Sequence, residues 1–402
     1  MMNAGQTRFL FLNVGHFLTH LFMLLYPTVV LALVIKMERP YSELLAYSLV
    51  GFIAYGAGAL PAGWLADRFG RKGVLAVFFV GIGIASILTG FADTPLEIGI
   101  GLAFIGLFAS IYHPVGIAMV VEGRDKVGKA LGLNGVWGNM GVALAPLIAG
   151  AITESIGWRY AFIIPGVISL VFGALFIALV RGGPPTHAVR AGKGGSDGER
   201  LRIPIGILAM LAIGALGSGL VFNTMTVSMP ALFNHGLSFL EGSVTRIGLV
   251  ITIISAVAAF TQIGVGLLVD RFPIRPIWLA ICLIEAPLLA LTGVLVDASL
   301  LIVTIPLVFL VLGEIPIQDA LVARYTTEAW RARVYAMKFV LAISISAVTV
   351  PMIALLQGST GDFSGVYAVL AGVAVMVALA AAMFTRGVRT HDRAAPNAQP
   401  AE

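Results

Sequence analysis

The chain has 402 residues, of which 59% are hydrophobic and only 11% charged, with a formal net charge of +5. A water-facing domain is nearer a quarter charged, so a soluble globular fold is excluded: its surface would be too apolar to stay dispersed. The one cysteine, Cys282, excludes an internal disulfide and a cysteine-based metal site.

With lipid as the solvent, a spanning helix needs about 20 apolar residues, and the chain divides into twelve such runs. In order they fall at 9–35, 44–66, 74–92, 96–121, 130–153, 160–180, 204–233, 246–269, 277–296, 298–323, 334–357 and 364–385. The first run is too long for a signal peptide and has no small-residue cleavage site in a polar flank, so it is expected to stay as a helix. Between the sixth and seventh runs lies a polar, Gly/Pro-rich stretch with linker composition, including Gly182-Gly183-Pro184-Pro185. The expected organisation is therefore a six-helix bundle over 1–180, a linker over 181–203, a second bundle over 204–385, and a polar tail over 386–402.

Basic residues orient the chain. Of the 25 Lys and Arg, only Lys36, Arg39, Arg159 and Arg246 fall on one side. The rest gather in the loops on the side of both termini, which predicts cytoplasmic termini in a bacterial inner membrane. This distribution accounts for the basic charge without a nucleic-acid partner.

The halves repeat. Gly63-Trp64-Leu65-Ala66-Asp67-Arg68-Phe69 matches Gly266-Leu267-Leu268-Val269-Asp270-Arg271-Phe272, Pro27 corresponds to Pro230, and Pro146 to Pro351. Internal duplication is how many carriers are built, with the solute site between the repeats.

Gly63 through Phe69 continues as Gly70-Arg71-Lys72 in the loop after the second span. There the glycines permit close helix approach and a tight turn. This string resembles the signature loop of the major facilitator superfamily; the second-half copy is interrupted by Pro273 and Pro276. The Gly-rich fifth span, Gly135 to Pro146, looks like the motif often found in that family's antiporters, and Gly157-Trp158-Arg159 follows it. The resemblance covers about residues 9–385. It implies an all-α membrane fold of twelve helices in two pseudo-symmetric six-helix bundles, with spans 1, 4, 7 and 10 lining a cavity, and a functional monomer. It also implies a conformational latch built from Gly63, Asp67, Arg68, Gly70, Arg71, Asp270 and Arg271, in which Asp67 helps hold the outward-facing state. Less closely, His16-Phe17-Leu18-Thr19-His20 with Tyr26-Pro27, and Tyr112-His113-Pro114, resemble the fosmidomycin-resistance branch. That branch carries acidic residues where this chain has His20 and, after the His-Pro pair, Val115-Gly116.

Ionisable groups inside a membrane are costly and mark cavities or partners. Those present are His16, His20, His113, Glu285, Glu314 and Asp319. The first half supplies imidazoles and the second carboxylates, so the two sets could face one another across a cavity. His20 and His113 are candidates for a proton or an anion, against the alternative of neutral histidines bonded to neighbouring helices. Glu314 is the best-placed carboxyl for proton coupling, the alternative being a pair with Arg324 or another loop base. That alternative is the stronger one for Asp319, and Glu285 is expected to have a local structural part. Asn13, Tyr26, Tyr55, Tyr112, Trp137, Asn139, Asn223 and Gln318 complete the candidate solute-binding set, and none suggests a metal site. No cavity span carries a mid-membrane Arg or Lys, which argues against strongly anionic solutes and for an amphipathic, weakly charged or aromatic one.

No nucleotide-binding loop and no convergent catalytic constellation are visible. The reading is a carrier, not an enzyme, driven by a proton gradient without a cofactor and exporting a small organic solute by alternating access. The alternatives are proton-coupled uptake of a metabolite, flipping of a lipid or lysolipid, and a non-transporting membrane sensor.

Overall fold

A computed structural model describes residues 3–122, 127–180, 205–326, 334, 337–338, 341–342 and 344–383. The expected linker over 181–203 and tail over 386–402 lie outside these residues. Every regular element among the described residues is helical, as the solvent requires: in hydrocarbon each backbone N–H and C=O must be satisfied within its own segment.

The first half runs α1 (Ala4–Met37), α2 (Tyr41–Ala46), α3 (Leu49–Ala57), α4 (Ala59–Phe69), α5 (Arg71–Gly90), α6 (Pro95–Ala109), a π-helical turn (Tyr112–Gly116), α7 (Ile117–Val121), α8 (Val127–Ile156) and α9 (Tyr160–Leu179). The second runs α10 (Ile205–Gly236), α11 (Val244–Ala258), α12 (Thr261–Arg271), α13 (Ile274–Thr292), α14 (Asp297–Tyr325), α15 (Ser346–Thr360) and α16 (Ser364–Met383). Ten described helices are long and apolar enough to cross a membrane, and the pair Tyr41–Ala57 and Ala59–Phe69, bent by 44°, makes an eleventh. The eleventh expected span, 334–357, is described in part and ends in α15.

Helix α1 begins with a capping box between Asn3 and Gln6. It is buried on nearly all sides, as befits a helix apolar all round, and it packs against α8, α9 and α10. Around it, Leu88, Leu96, Phe260, Ile302 and Leu355 stand exposed, the pattern of a surface that meets lipid.

Helices surrounded by lipid gain little from hydrophobic association, so close backbone approach has to hold them together. Gly106 on α6 lies against Gly51 on α3, where a Cβ would stand 2.0 Å from the Gly51 carbonyl oxygen. Gly83 and Gly166 do the same for α5 and α9, each Cβ position lying 2.8 Å from the other's carbonyl oxygen. The second span bends at Gly58, whose Cβ position would fall 2.4 Å from Ser110 Oγ. The fourth span passes Pro114 in a π turn, a local irregularity that accommodates a residue with no backbone N–H.

The halves meet at the end of the bundle away from the termini. Tyr41 packs on Phe363 with ring centroids 6.2 Å apart. Glu154 on α8 accepts from Ser243 Oγ at 3.0 Å and from the Thr245 backbone N–H at 2.8 Å, capping the start of α11. Thr252 donates to Ala143 O at 2.7 Å.

Gly106→Val is expected to cost about 1–3 kcal/mol through overpacking and to lower the unfolding temperature of the detergent-purified protein. Gly132→Ala, with nothing within 4 Å of its Cβ position, should leave it unchanged. Equal unfolding temperatures for both variants would contradict the close-contact account.

Candidate functional site

The first half gathers its polar groups on α1, the π turn and α8. Tyr112 donates from its hydroxyl to Leu12 O at 2.6 Å. Asn134 donates to Asn13 Oδ1 at 3.0 Å and to the Tyr112 hydroxyl at 2.9 Å. The Tyr112 ring sits between Gly15 and Gly116, whose Cβ positions would fall 2.9 and 2.6 Å from it. Only glycine at those two places lets the ring lie there.

On Tyr112 stacks His16, with ring centroids 5.0 Å apart and planes 19° from parallel. His16 Nδ1 is 2.8 Å from Asn134 O. A carbonyl can only accept, so Nδ1 carries the proton. His20 and His113 complete a triangle with His16: centroids are 5.1 Å apart for His16–His20, 5.3 Å for His16–His113 and 5.4 Å for His20–His113. Tyr55 on α3 brings its hydroxyl to 3.2 Å from His113 Nδ1.

Five of the expected site residues therefore converge: Asn13, His20, Tyr55, Tyr112 and His113. They are joined by His16, one of the ionisable groups expected inside the membrane, and by Asn134. Tyr26 lies further along α1 and donates to Leu44 O at 2.6 Å, a packing bond to α2. Trp137 packs against the core of the bundle. Asn139 turns away from the histidines, into a narrow pocket between the halves with Pro146, Phe222, Met225, Thr226 and Met229.

The second half holds a separate polar centre. Glu314 Oε1 on α14 accepts from Trp278 Nε1 at 3.0 Å and from Cys282 Sγ at 3.1 Å, both on α13. Glu285, one turn beyond Cys282, is buried near enough to interact electrostatically with Glu314. Gln318 donates to Ser218 Oγ at 3.2 Å, while its amide oxygen is buried with no partner among the described residues. Asn223 donates to Gly219 O at 2.7 Å and reaches Ala342 O at 3.4 Å.

Two expectations change here. No contact among those described joins the histidines to the carboxylates; Glu314 is instead held inside its own half by α13. Arg324, the basic partner considered for Glu314, donates to Val269 O, and no ion pair to Glu314 occurs among the described residues. Asp319 does pair with a base, Lys338, as its position near the helix end suggested. Trp278 and Cys282 were missed, although their spacing of four on an apolar helix, with Glu285 three further on, puts all three on one face.

Among the described residues, those of the expected latch make no bond across the halves. Asp67, Asp270 and Arg271 are exposed, with no ion pair among the described residues. Arg68 lies over the Trp64 and Phe69 rings. Arg71 and Arg8 both reach Glu122, at 3.6 and 3.2 Å. Gly63 faces Pro114 in ordinary contact, and Gly70 takes φ +89° to turn the chain into α5.

Comparison with known proteins places this geometry. The family model for the Major Facilitator Superfamily matches residues 12–337. Puromycin resistance protein pur8 of Streptomyces alboniger is 33% identical over 123 residues, 30% of this chain and 24% of that one. The probable sulfoacetate transporter SauU of Cupriavidus necator is 32% identical over 139 residues, 33% of this chain and 32% of that one. Quinolone resistance protein NorB of Staphylococcus aureus is 32% identical over 138 residues, 33% of this chain and 28% of that one. These matches span only about a quarter to a third of each relative's length. Among solved structures, an inward-facing, unoccupied bacterial homologue of the human lysosomal transporter Spinster aligns with TM-score 0.75 at 15% identity, covering 96% of this chain and 97% of that one. A D-xylose-proton symporter aligns with TM-score 0.74 at 18% identity, covering 94% and 97%.

The far-end closure yields a cross-linking prediction. A Cβ at Gly358 on α15 would lie 3.2 Å from Ser42 Cβ on α2, a short step from the 3.5–4.5 Å of a disulfide. With Ser42→Cys and Gly358→Cys in a Cys282→Ser background and a protease site in the 181–203 segment, cleaved halves should stay joined on a non-reducing gel and separate on reduction. Halves that separate without reductant would contradict this closure.

Proposed function

This chain belongs to the major facilitator superfamily, and from that premise we propose that it exports a small amphipathic or aromatic organic solute in exchange for protons. It does so by alternating access in a bacterial inner membrane, as a monomer with both termini cytoplasmic. With that orientation, closure at the far end makes the present conformation inward-facing.

The observation that carries the reading is Glu314. It is a buried carboxyl near the middle of α14, held by the neutral donors Trp278 and Cys282. Charge is costly at this depth, so loading and unloading a proton here can be tied to which side water reaches. Gln318, one turn along α14, and Ser218 on α10 add neutral polar groups beside it.

The pocket between the halves supports the solute class. Phe222, Met225 and Met229 give it a deformable apolar wall, and Asn139 and Thr226 give it two polar handles. It has no Lys or Arg among its lining residues. Two of the similar proteins are named for resistance to puromycin and to quinolones, aromatic amphiphiles of the kind such a wall would take. Proton-coupled uptake is the second reading, favoured by the fold likeness to a D-xylose-proton symporter. A small dianion such as sulfoacetate suits this pocket poorly, because nothing on its wall would compensate the charge.

The test is flux in proteoliposomes under an imposed pH gradient, with puromycin and a quinolone as probes and an internal pH dye. Wild type should move protons against solute. Glu314→Gln keeps the shape but cannot carry the proton, so gradient-driven transport should fall at least about tenfold while solute exchange without a gradient persists. Full coupled transport in Glu314→Gln would refute the assignment, and solute and proton moving in the same direction would select uptake.

A further inference from the structure

The three histidines of the first half have a geometry that hydrogen bonding alone does not require. One ring nitrogen from each of His16, His20 and His113 lies within 4.8 Å of the other two. His16 spends its Nδ1–H on Asn134 O at 2.8 Å, which leaves the Nε2 lone pair unprotonated. Histidine ligands to metals are held in this way, with one nitrogen donating to a carbonyl so that the other is fixed as a donor to the ion. His113 adopts the same state when its Nδ1–H donates to the Tyr55 hydroxyl oxygen, 3.2 Å away. His20 makes no hydrogen bond among the described residues and is half-buried, so its ring is the adjustable member.

We propose that His16, His20 and His113 form a binding site for one late first-row divalent cation, of the Zn²⁺, Co²⁺ or Ni²⁺ class. Imidazole nitrogens select these ions, whereas Mg²⁺ and Ca²⁺ require oxygen ligands. Bond lengths of about 2.0–2.1 Å put ligand nitrogens of a tetrahedral site roughly 3.4 Å apart, so the triangle has to tighten by up to about 1.4 Å. His20 can supply that movement by turning about its side-chain torsions. His113 sits on the π turn, the kind of local irregularity that recurs at functional sites. His16 is held against α8: a Cβ at Gly138 would fall 2.6 Å from its Nε2, so the ring lies directly on the helix backbone. Three protein ligands leave a fourth position open. Because all three are neutral, the ion keeps its full charge and favours water or an anionic donor atom of a small molecule there.

The site goes beyond the transport reading and is tested without any gradient. The full chain, purified in detergent with its affinity tag removed, is titrated with Co²⁺ at neutral pH and followed by calorimetry and visible absorption. Wild type should bind one Co²⁺ per chain, with the d–d bands of a low-coordinate nitrogen site, and Zn²⁺ should displace it. His20→Ala and His113→Ala should each weaken binding at least about a hundredfold. Gly138→Ala, which pushes on His16, should weaken it about tenfold. His235→Ala, an exposed histidine elsewhere, should change nothing. Zinc-edge X-ray absorption on the wild type should give imidazole scattering from three rings, a readout that does not depend on how the variants fold. Absence of stoichiometric binding, binding unaffected by the His20 and His113 variants, or an oxygen-only shell would overturn the proposal. Full proton-coupled transport in Glu314→Gln with metal binding intact would sink the transport reading alone.

Discussion

Hydrocarbon offers no hydrogen bonds, so each polar group inside this bundle must find its partner inside the bundle. That constraint explains why Tyr112, Asn134, Asn13 and the Leu12 carbonyl form a closed set and why Glu314 draws on an indole N–H and a thiol. Among the described residues satisfaction is local: both networks close within their own half, and the pocket between the halves is walled mainly by apolar side chains. An interface of that kind can part and re-form without stranding polar groups, which is the mechanical requirement for two bundles that rock against each other.

The exceptions lie where the halves do bond. Glu154 caps the first turn of α11 across the interface, and Thr252 reaches the carbonyl of Ala143. An acidic side chain at a helix N-terminus is favourable there because it meets the unpaired N–H groups and the positive end of the helix dipole. Far-end closure thus rests on a capping interaction and ring packing, both breakable at modest cost. At the near end Asp67 and Asp270 stand exposed.

The fold was largely legible because lipid leaves a coarse signal. Long apolar runs, the Gly63–Lys72 string and its partial copy at Gly266–Phe272 are local patterns that survive without knowledge of contacts. Segment breaks were less so: the second span bends at Gly58, where Ser110 of another helix leaves no room for a Cβ, a tertiary contact with no local mark beyond the glycine. The first-half site was readable in part, since His16 and His20 share a face at a spacing of four while His113 is distant in sequence. Its convergence with them depends on the π turn, and sequence spacing gave no hint of a metal-like triangle for that reason. The expected meeting of histidines with carboxylates failed because residue type says which groups need partners, not which helix supplies them; Trp278 and Cys282, on a helix outside the spans expected to line the cavity, supplied them for Glu314.

The separation of the two polar centres bears on how a carrier could be coupled. If proton and solute shared one site, displacement alone would link them. Here Glu314 sits between α13 and α14, while the pocket between the halves is lined by α8, α10, α11 and α14. Helix α14 belongs to both: Val308 and Leu312 line the pocket, and Glu314 follows half a turn later, with Pro306 and Pro316 on either side. Prolines inside a helix remove backbone hydrogen bonds and let the segment between them tilt. A change at Glu314 that loosens its bond to Trp278 can therefore reach the pocket wall through a short, proline-bounded stretch of one helix. Coupling then needs no direct contact between proton and solute, only a segment whose two positions each favour one of them.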